Sequence, residues 1–206
     1  MLKIWGRTNS VNVMKVLWAA DEMGLAYERI DAGLQYGVVG TPFYKAMNPN
    51  SRVPTIDDDG FVLWESNTVV RYLAAKHSHG TLMPADLPGR ADAERWMDWA
   101  TAEIGVPMIP VFWQLVRTQA AERDHDAIEK NRVLLEAGMR ILDAHLAGRA
   151  YMTGERLTVA DIPVGCLAHR WLALPIQRPT LANVIAWHAR LAERPAYRAR
   201  VMQPLS

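Results

Sequence analysis

Every stretch of this chain that reads as a β-strand lies before residue 65, and everything after the segment "SHGTLMPADLPG" reads as helix. That segregation excludes sandwiches, barrels and long βα repeats, and leaves a small α/β unit followed by an all-α unit. Leu2 to Trp5 form a short apolar run stopped by Gly6, as a buried strand would. In "SVNVMKVLWAADEMGL", Val13, Val16, Leu17 and Ala20 recur at helical spacing, with Gly24 as the stop. "AYERID" alternates and predicts a second strand. A glycine-bearing loop, "AGLQYGVVGTP", leads to a short helix near Phe43 to Met47. "VPTID", the acidic turn "DDDG" and "FVLW" predict a hairpin, and "ESNTVVRYLAAKH" a helix. The order is βαβ, then α-ββα.

"SHGTLMPADLPG" holds two prolines and two glycines and few core residues, which marks a linker. The boundaries are then 1–78 for the α/β domain, 79–88 for the linker and 89–206 for the helical domain. Within the latter, one long helix is expected from about Arg90 to Thr118, bent by Pro107 and Pro110. A second spans about Asp124 to Ala147; "RLTVADIPVGCLAHRWLAL" opens a third and "PTLANVIAWHARLAERPAY" a fourth. "LTVADI" predicts a capping box between Thr158 and Asp161, stapled by Leu157 and Ile162.

The hairpin carries a proline, Pro54, almost at the start of its first strand, where a ladder donor is normally needed. A cis Val53–Pro54 bond would turn the N–H and C=O of Val53 outward. Glu65 and Ser66 stand where the second strand hands over to a helix, and the free N–H groups of a first helical turn favour an anion. The plainer possibility is that Ser66 caps the helix and Glu65 is solvated. With Lys+Arg 23 against Asp+Glu 22 and a net charge of +1, the chain lacks the basic excess of a nucleic-acid or acidic-membrane binder. Its one cysteine, Cys166, allows no internal disulfide and fits a reducing compartment. It sits among Val164, Leu167 and Ala168 as an inert core thiol would. No signal-peptide core and no apolar run of about 18 residues is present, so a cytoplasmic protein without membrane contact is expected. Of the six histidines only His77 and His79 are close in sequence, at a spacing that matches no common zinc site, so no metal is expected.

The segment "MNPNSRVPTIDDDGFVLWESNTVVRYLA" closely resembles the glutathione-binding segment of cytosolic glutathione transferases, and the likeness extends along the chain. "RTNSVNVMKVLWAADEMGLAYE" is similar to the family's first strand–helix–strand, "LTVADI" to its second-domain capping box, and "RPTLANVIAWHARLAERPAY" to its C-terminal helices. Within the family it looks most like bacterial, theta-like members of the serine type. The resemblance implies a thioredoxin-like domain followed by an all-helical one, a two-fold homodimer, and glutathione as co-substrate. It implies that Val53, beside a cis Pro54, pairs its backbone with the cysteinyl part of glutathione. Glu65 would meet the γ-glutamyl ammonium, Ser66 its carboxylate, and Arg52 would lie near the glycyl carboxylate.

The thiolate of glutathione is the nucleophile, so the site needs donors aimed at the sulfur. Ser10 matches the family's catalytic serine, with Asn9, Asn12 and Arg7 as alternatives in the same loop; Ser10 also reads as a helix N-cap and Asn9 as a turn residue. The loop has no tyrosine, which sets the chain apart from tyrosine-type members, and no cysteine, which sets it apart from thiol-exchanging ones. Trp96, Trp99 and Trp113 suit packing of the long helix; Met108, Phe112 and Trp113 could instead line the electrophile pocket. Glu103 could reach the γ-glutamyl ammonium across a dimer. The activity implied is detoxifying conjugation of glutathione to a small hydrophobic, apolar electrophile. Dehalogenase, peroxidase or isomerase chemistry on the same site, or a non-catalytic regulatory module, are the alternatives.

Overall fold

The computed structural model describes residues 1–206. Four strands, β1 (Leu2–Trp5), β2 (Tyr27–Ile30), β3 (Thr55–Asp58) and β4 (Phe61–Trp64), form one sheet in the order β2-β1-β3-β4. β1 and β2 are parallel, with Leu2 opposite Tyr27, and the other pairings are antiparallel. The parallel pair needs a crossover, which α1 (Val11–Glu22) supplies. It ends in a Schellman-type turn: Gly24 takes a φ of +65° and the Leu25 N–H returns to the Ala20 C=O at 3.0 Å. The β3–β4 hairpin closes on Asp59 and Gly60, both with positive φ, as a two-residue type I′ turn requires.

Alternation along the strands divides the sheet into two faces. Ile4 and Ile56 face α1 and α3 (Ser66–His77) in the main core, whereas Trp5 turns to the other side and packs with Ala32 and with Tyr44 of α2 (Pro42–Met47). This is the expected thioredoxin-like domain. Pro54 lies just before β3 rather than in it, so no ladder donor is lost.

The second half is helical, as expected, with differences at the prolines. The long helix starts earlier, at α4 (Leu87–Trp99), whose cap is Asp86, accepting from the Gly89 N–H at 2.8 Å. It continues through a π-type turn at Ala100–Gly105, α5 (Val106–Phe112) and a second π-type turn at Trp113–Arg117. The Val106 N–H bonds Thr101 C=O, five residues back, immediately ahead of Pro107, which has no N–H to offer. α6 (His125–Leu146) and α7 (Asp161–Ala173) follow. The expected fourth helix is two, α8 (Ala182–Ala192) and α9 (Pro195–Arg200), because Pro195 can open a helix but cannot continue one. No helix is long and apolar enough to cross a membrane.

The capping box is half present. The Thr158 N–H donates to Asp161 Oδ2 at 2.9 Å, but the Thr158 hydroxyl pairs with that of Thr153 instead of capping. Asp161 is fully buried and also accepts from the Met152 N–H and Trp187 Nε1, each at 3.0 Å. Burial nonetheless pushes its carboxyl up to about 6.

The two halves share one core, running from Leu2 through Trp18 and Trp171 to Val201. α1 lies at their junction. Its Trp18 packs edge-on to Tyr197, and a Cβ on Gly165 of α7 would stand only 3.0 Å from the Trp18 ring. Ion pairs Arg194–Glu22 and Arg200–Asp21 close the rim of this junction.

Candidate active site

The Val53–Pro54 bond is cis. Neither the N–H nor the C=O of Val53 takes part in a hydrogen bond within the chain, so both remain available to an extended peptide laid beside them. A buried polar knot holds this corner. Tyr44 Oη donates to the Arg52 C=O at 2.8 Å, and Asn48 Nδ2 reaches the same carbonyl and Thr55 Oγ1 at 3.0 Å each. Tyr44, Asn48 and Thr55 are all buried, so the knot fixes the main chain immediately before Val53. The side chain of Arg52 is exposed.

Glu65 and Ser66 lie beyond β4. Glu65 has a φ of +70°, an uncommon conformation for a residue with a side chain, and it leaves the carboxylate exposed in front of α3. Ser66 is the first residue of α3 rather than its cap, and its hydroxyl donates to Asn12 Oδ1 at 3.3 Å. Glu65, Ser66, Asn12, Lys15, Thr101 and Val106 line one cleft, so the long helix of the second half supplies a wall of it.

Lys15 was not singled out in the sequence, although it interrupts an apolar helix face between Met14 and Val16. It is only 4% exposed, donates to Asn12 Oδ1 at 2.9 Å, and is brought down to about 8 by burial, assisted by the Arg170 charge and opposed by Cys166 and Glu65.

In the first loop, Ser10 sits at the cap position of α1 and is buried, but its hydroxyl makes no capping bond. It is thus free to donate elsewhere. Asn9 is engaged: its Nδ2 donates to the Ser206 hydroxyl at 3.0 Å, and its C=O accepts from Arg170 Nη2 at 3.1 Å. Asn12 is held between Lys15 and Ser66, in the same cleft as Glu65. Arg7 lies beside Val53 across Gly33, where a Cβ would meet Arg7 Nη1 at 3.2 Å and Val53 Cγ1 at 3.5 Å.

Of the candidate pocket residues, Met108 is 1% exposed and packs into the core, one turn before Phe112, so it offers no surface to a ligand. Phe112 is likewise buried in the core, against the guanidiniums of Arg117 and Arg170, and offers a ligand no surface, whereas Trp113 is 47% exposed. Trp96 and Trp99 pack edge to face, as helix packing predicts. Glu103 is exposed on the long helix. Cys166 is fully buried and its thiol is pushed up to about 12 by that burial, which leaves it inert at neutral pH.

A thioredoxin-like sheet that presents an unpaired main chain beside a cis proline, with a helical half walling the cleft, defines a two-domain protein built to hold a small peptide. Residues 1–75 match the family model of the glutathione S-transferase N-terminal domain, and residues 101–195 that of its C-terminal domain. The chain belongs to the glutathione S-transferase family. It is 38% identical over 208 aligned positions to glutathione S-transferase GstB of Escherichia coli K12, with 100% of both chains covered. It is 31% identical to glutathione S-transferase 3 of Zea mays, over 97% of this chain and 93% of the maize protein. The crystal structure of the theta class glutathione S-transferase of Xanthomonas axonopodis pv. citri with glutathione bound superposes with a TM-score of 0.96. That match is at 45% identity and covers 100% of this chain and 99% of the other.

Proposed function

We propose that this glutathione S-transferase binds glutathione along the edge of β3 and conjugates its sulfur to a small electrophile, with Ser10 as the donor to the thiolate. The observation that carries the proposal is the pair of free main-chain groups on Val53, one end of a track whose other end is Glu65 and Ser66. The cysteinyl unit pairs with Val53 as an added strand would. The γ-glutamyl ammonium meets Glu65, and its carboxylate meets Ser66, the first N–H groups of α3 and the Lys15 ammonium. Arg52 is positioned for the glycyl end. The free Ser10 hydroxyl donates to the sulfur and stabilises the thiolate, which performs the attack. Trp113 borders the electrophile.

The molecule is proposed to act in the cytoplasm, in detoxification, as a homodimer. Val106, Ile109 and Trp113 on the long helix and Val133, Leu134 and Ile141 on α6 are large exposed apolar side chains that support such an interface. The proposed domain boundaries are 1–78 and 89–206, with α4 of the helical half beginning inside the proposed linker, at Leu87.

Calorimetric titration with glutathione tests the site. Glu65→Ala and Ser66→Ala are each expected to weaken binding on the order of tenfold or more, the usual loss for a charge-assisted hydrogen bond. Undiminished affinity in both variants would refute the track.

A further inference from the structure

Lys15 brings an ammonium group into the cleft that holds Glu65 and Ser66. It comes from the middle of α1, is 4% exposed, and belongs to none of the chain's ion pairs. An ammonium has three protons to donate, and Lys15 uses one, on Asn12 Oδ1 at 2.9 Å. The same oxygen accepts from the Ser66 hydroxyl at 3.3 Å. The two donors therefore flank one acceptor, a separation that the two oxygens of a single carboxylate can bridge.

The charges around Lys15 leave that place open to an anion. From α7 it is faced by the Cys166 thiol and the Arg170 guanidinium, and from the junction of β4 with α3 by Glu65. Cys166, pushed up to about 12, is neutral wherever Lys15 titrates, and Arg170 is a like charge. Arg71 and Asp98, which line the same cleft, pair with each other. Glu65 is thus the carboxylate that favours the Lys15 cation, and the two are not in contact as an ion pair. Burial outweighs it, and the protein releases the Lys15 proton at about 8 instead of 10.5.

We propose that glutathione binding loads a proton onto Lys15, with the γ-glutamyl carboxylate as the counter-ion of the buried ammonium. The tripeptide is then held as a zwitterion between Lys15 and Glu65, and its affinity falls in mildly alkaline solution. The proposal rests on the glutathione transferase reading and adds the regulation of that site by pH. The sign follows from linkage. A carboxylate against the ammonium favours the charged form, so the complex keeps the proton that the free protein gives up, and solvent supplies it on binding. The arrangement also selects for a γ-linked glutamyl unit. Such a unit carries its free carboxylate and free ammonium on one carbon, whereas an α-linked peptide has that carboxylate tied up in its peptide bond.

The test is calorimetric titration with S-methylglutathione, which has no thiol to ionise, in two buffers that differ in heat of ionisation. At pH 8 the native protein is expected to take up about half a proton per ligand more than Lys15→Arg, whose charge does not titrate there. From pH 7 to pH 9 the native affinity should fall on the order of tenfold relative to that variant. Lys15→Met should bind on the order of tenfold more weakly than the native protein at pH 7. Any proton taken up by the ligand's own ammonium beside Glu65 is common to all three proteins, so the differences isolate Lys15. A second measurement needs no variant. The Lys15 side-chain resonance, followed by NMR against pH, should titrate near 8 in the free protein and at least one pH unit higher in the complex.

Equal proton uptake by native protein and Lys15→Met, with the ligand bound to both, would overturn the inference while leaving the transferase reading intact. So would a Lys15 resonance whose midpoint is the same with and without S-methylglutathione. Failure of the native protein to bind either glutathione or S-methylglutathione at pH 7 would overturn the transferase reading as well.

Discussion

Asp161 sets desolvation against hydrogen bonding in one carboxyl group. Three donors, the N–H groups of Thr158 and Met152 and the indole of Trp187, point at a side chain with no solvent exposure. The donors favour the charged form and burial disfavours it; burial wins, and the carboxyl moves from 3.8 to about 6. The sign follows from linkage. Between those values the folded protein holds the proton that the unfolded chain has released, so unfolding free energy falls as pH rises through the window and levels off above it. At about 1.4 kcal/mol per pH unit, Asp161 contributes about 3 kcal/mol less at pH 7 than below pH 4.

The assay is urea unfolding followed by tryptophan fluorescence from pH 4 to 7, on the native protein and on Asp161→Asn. Asparagine preserves the shape and cannot titrate there, so the difference between the two curves isolates the group. The difference should shift by about 3 kcal/mol against the native protein across the window. A difference that is flat, or that moves in favour of the native protein as pH rises, would show that the three donors outweigh burial, and the reasoning would fail.

Ser10→Ala should lower kcat on the order of a hundredfold or more, with glutathione affinity changed by no more than a few-fold, as loss of general stabilisation of a reacting group does; turnover equal to the native value would remove Ser10 from the mechanism. Lys15, a cation brought down to about 8 in the folded state, holds its proton up to about 10.5 in the unfolded chain. Native stability relative to Lys15→Met should therefore rise by about 3 kcal/mol as pH rises through that interval, and a pH-independent difference in chemical denaturation would contradict the burial argument.

The elements were legible because their signals are local. Strand alternation, the Asp-Gly turn and the stop at Gly24 each reside in a few consecutive residues, and the structure places them where the pattern does. The Pro54 corner and the Glu65–Ser66 junction were legible for the same reason. What escaped was long-range or conditional. Apolar periodicity runs through "ANVIAWHARLAERPAY" without interruption, and only the missing N–H of Pro195 divides it into two helices. The knot of Tyr44, Asn48 and Thr55 joins the end of α2 to β3, and nothing in the spacing of those residues announces it. The arginines at positions 7, 117 and 170 become neighbours only when the helical half closes on the first loop. Met108 shares its helix with Phe112, but the π-type turns on either side shift the faces enough that periodicity could not assign it to core or cleft.

The contact between Trp18 and Gly165 bears on how such proteins can be recombined. The indole lies so close to the α7 backbone that position 165 has room for little beyond a hydrogen atom. A chimera that joins the first half of this chain to the helical half of a relative inherits that constraint. Any donor with a larger residue at the matching place must shift the Trp18 ring and the Leu191 side chain, or separate α1 from α7. Because Ser10 stands at the cap of α1, such a displacement in the graft would be transmitted to the proposed thiolate donor.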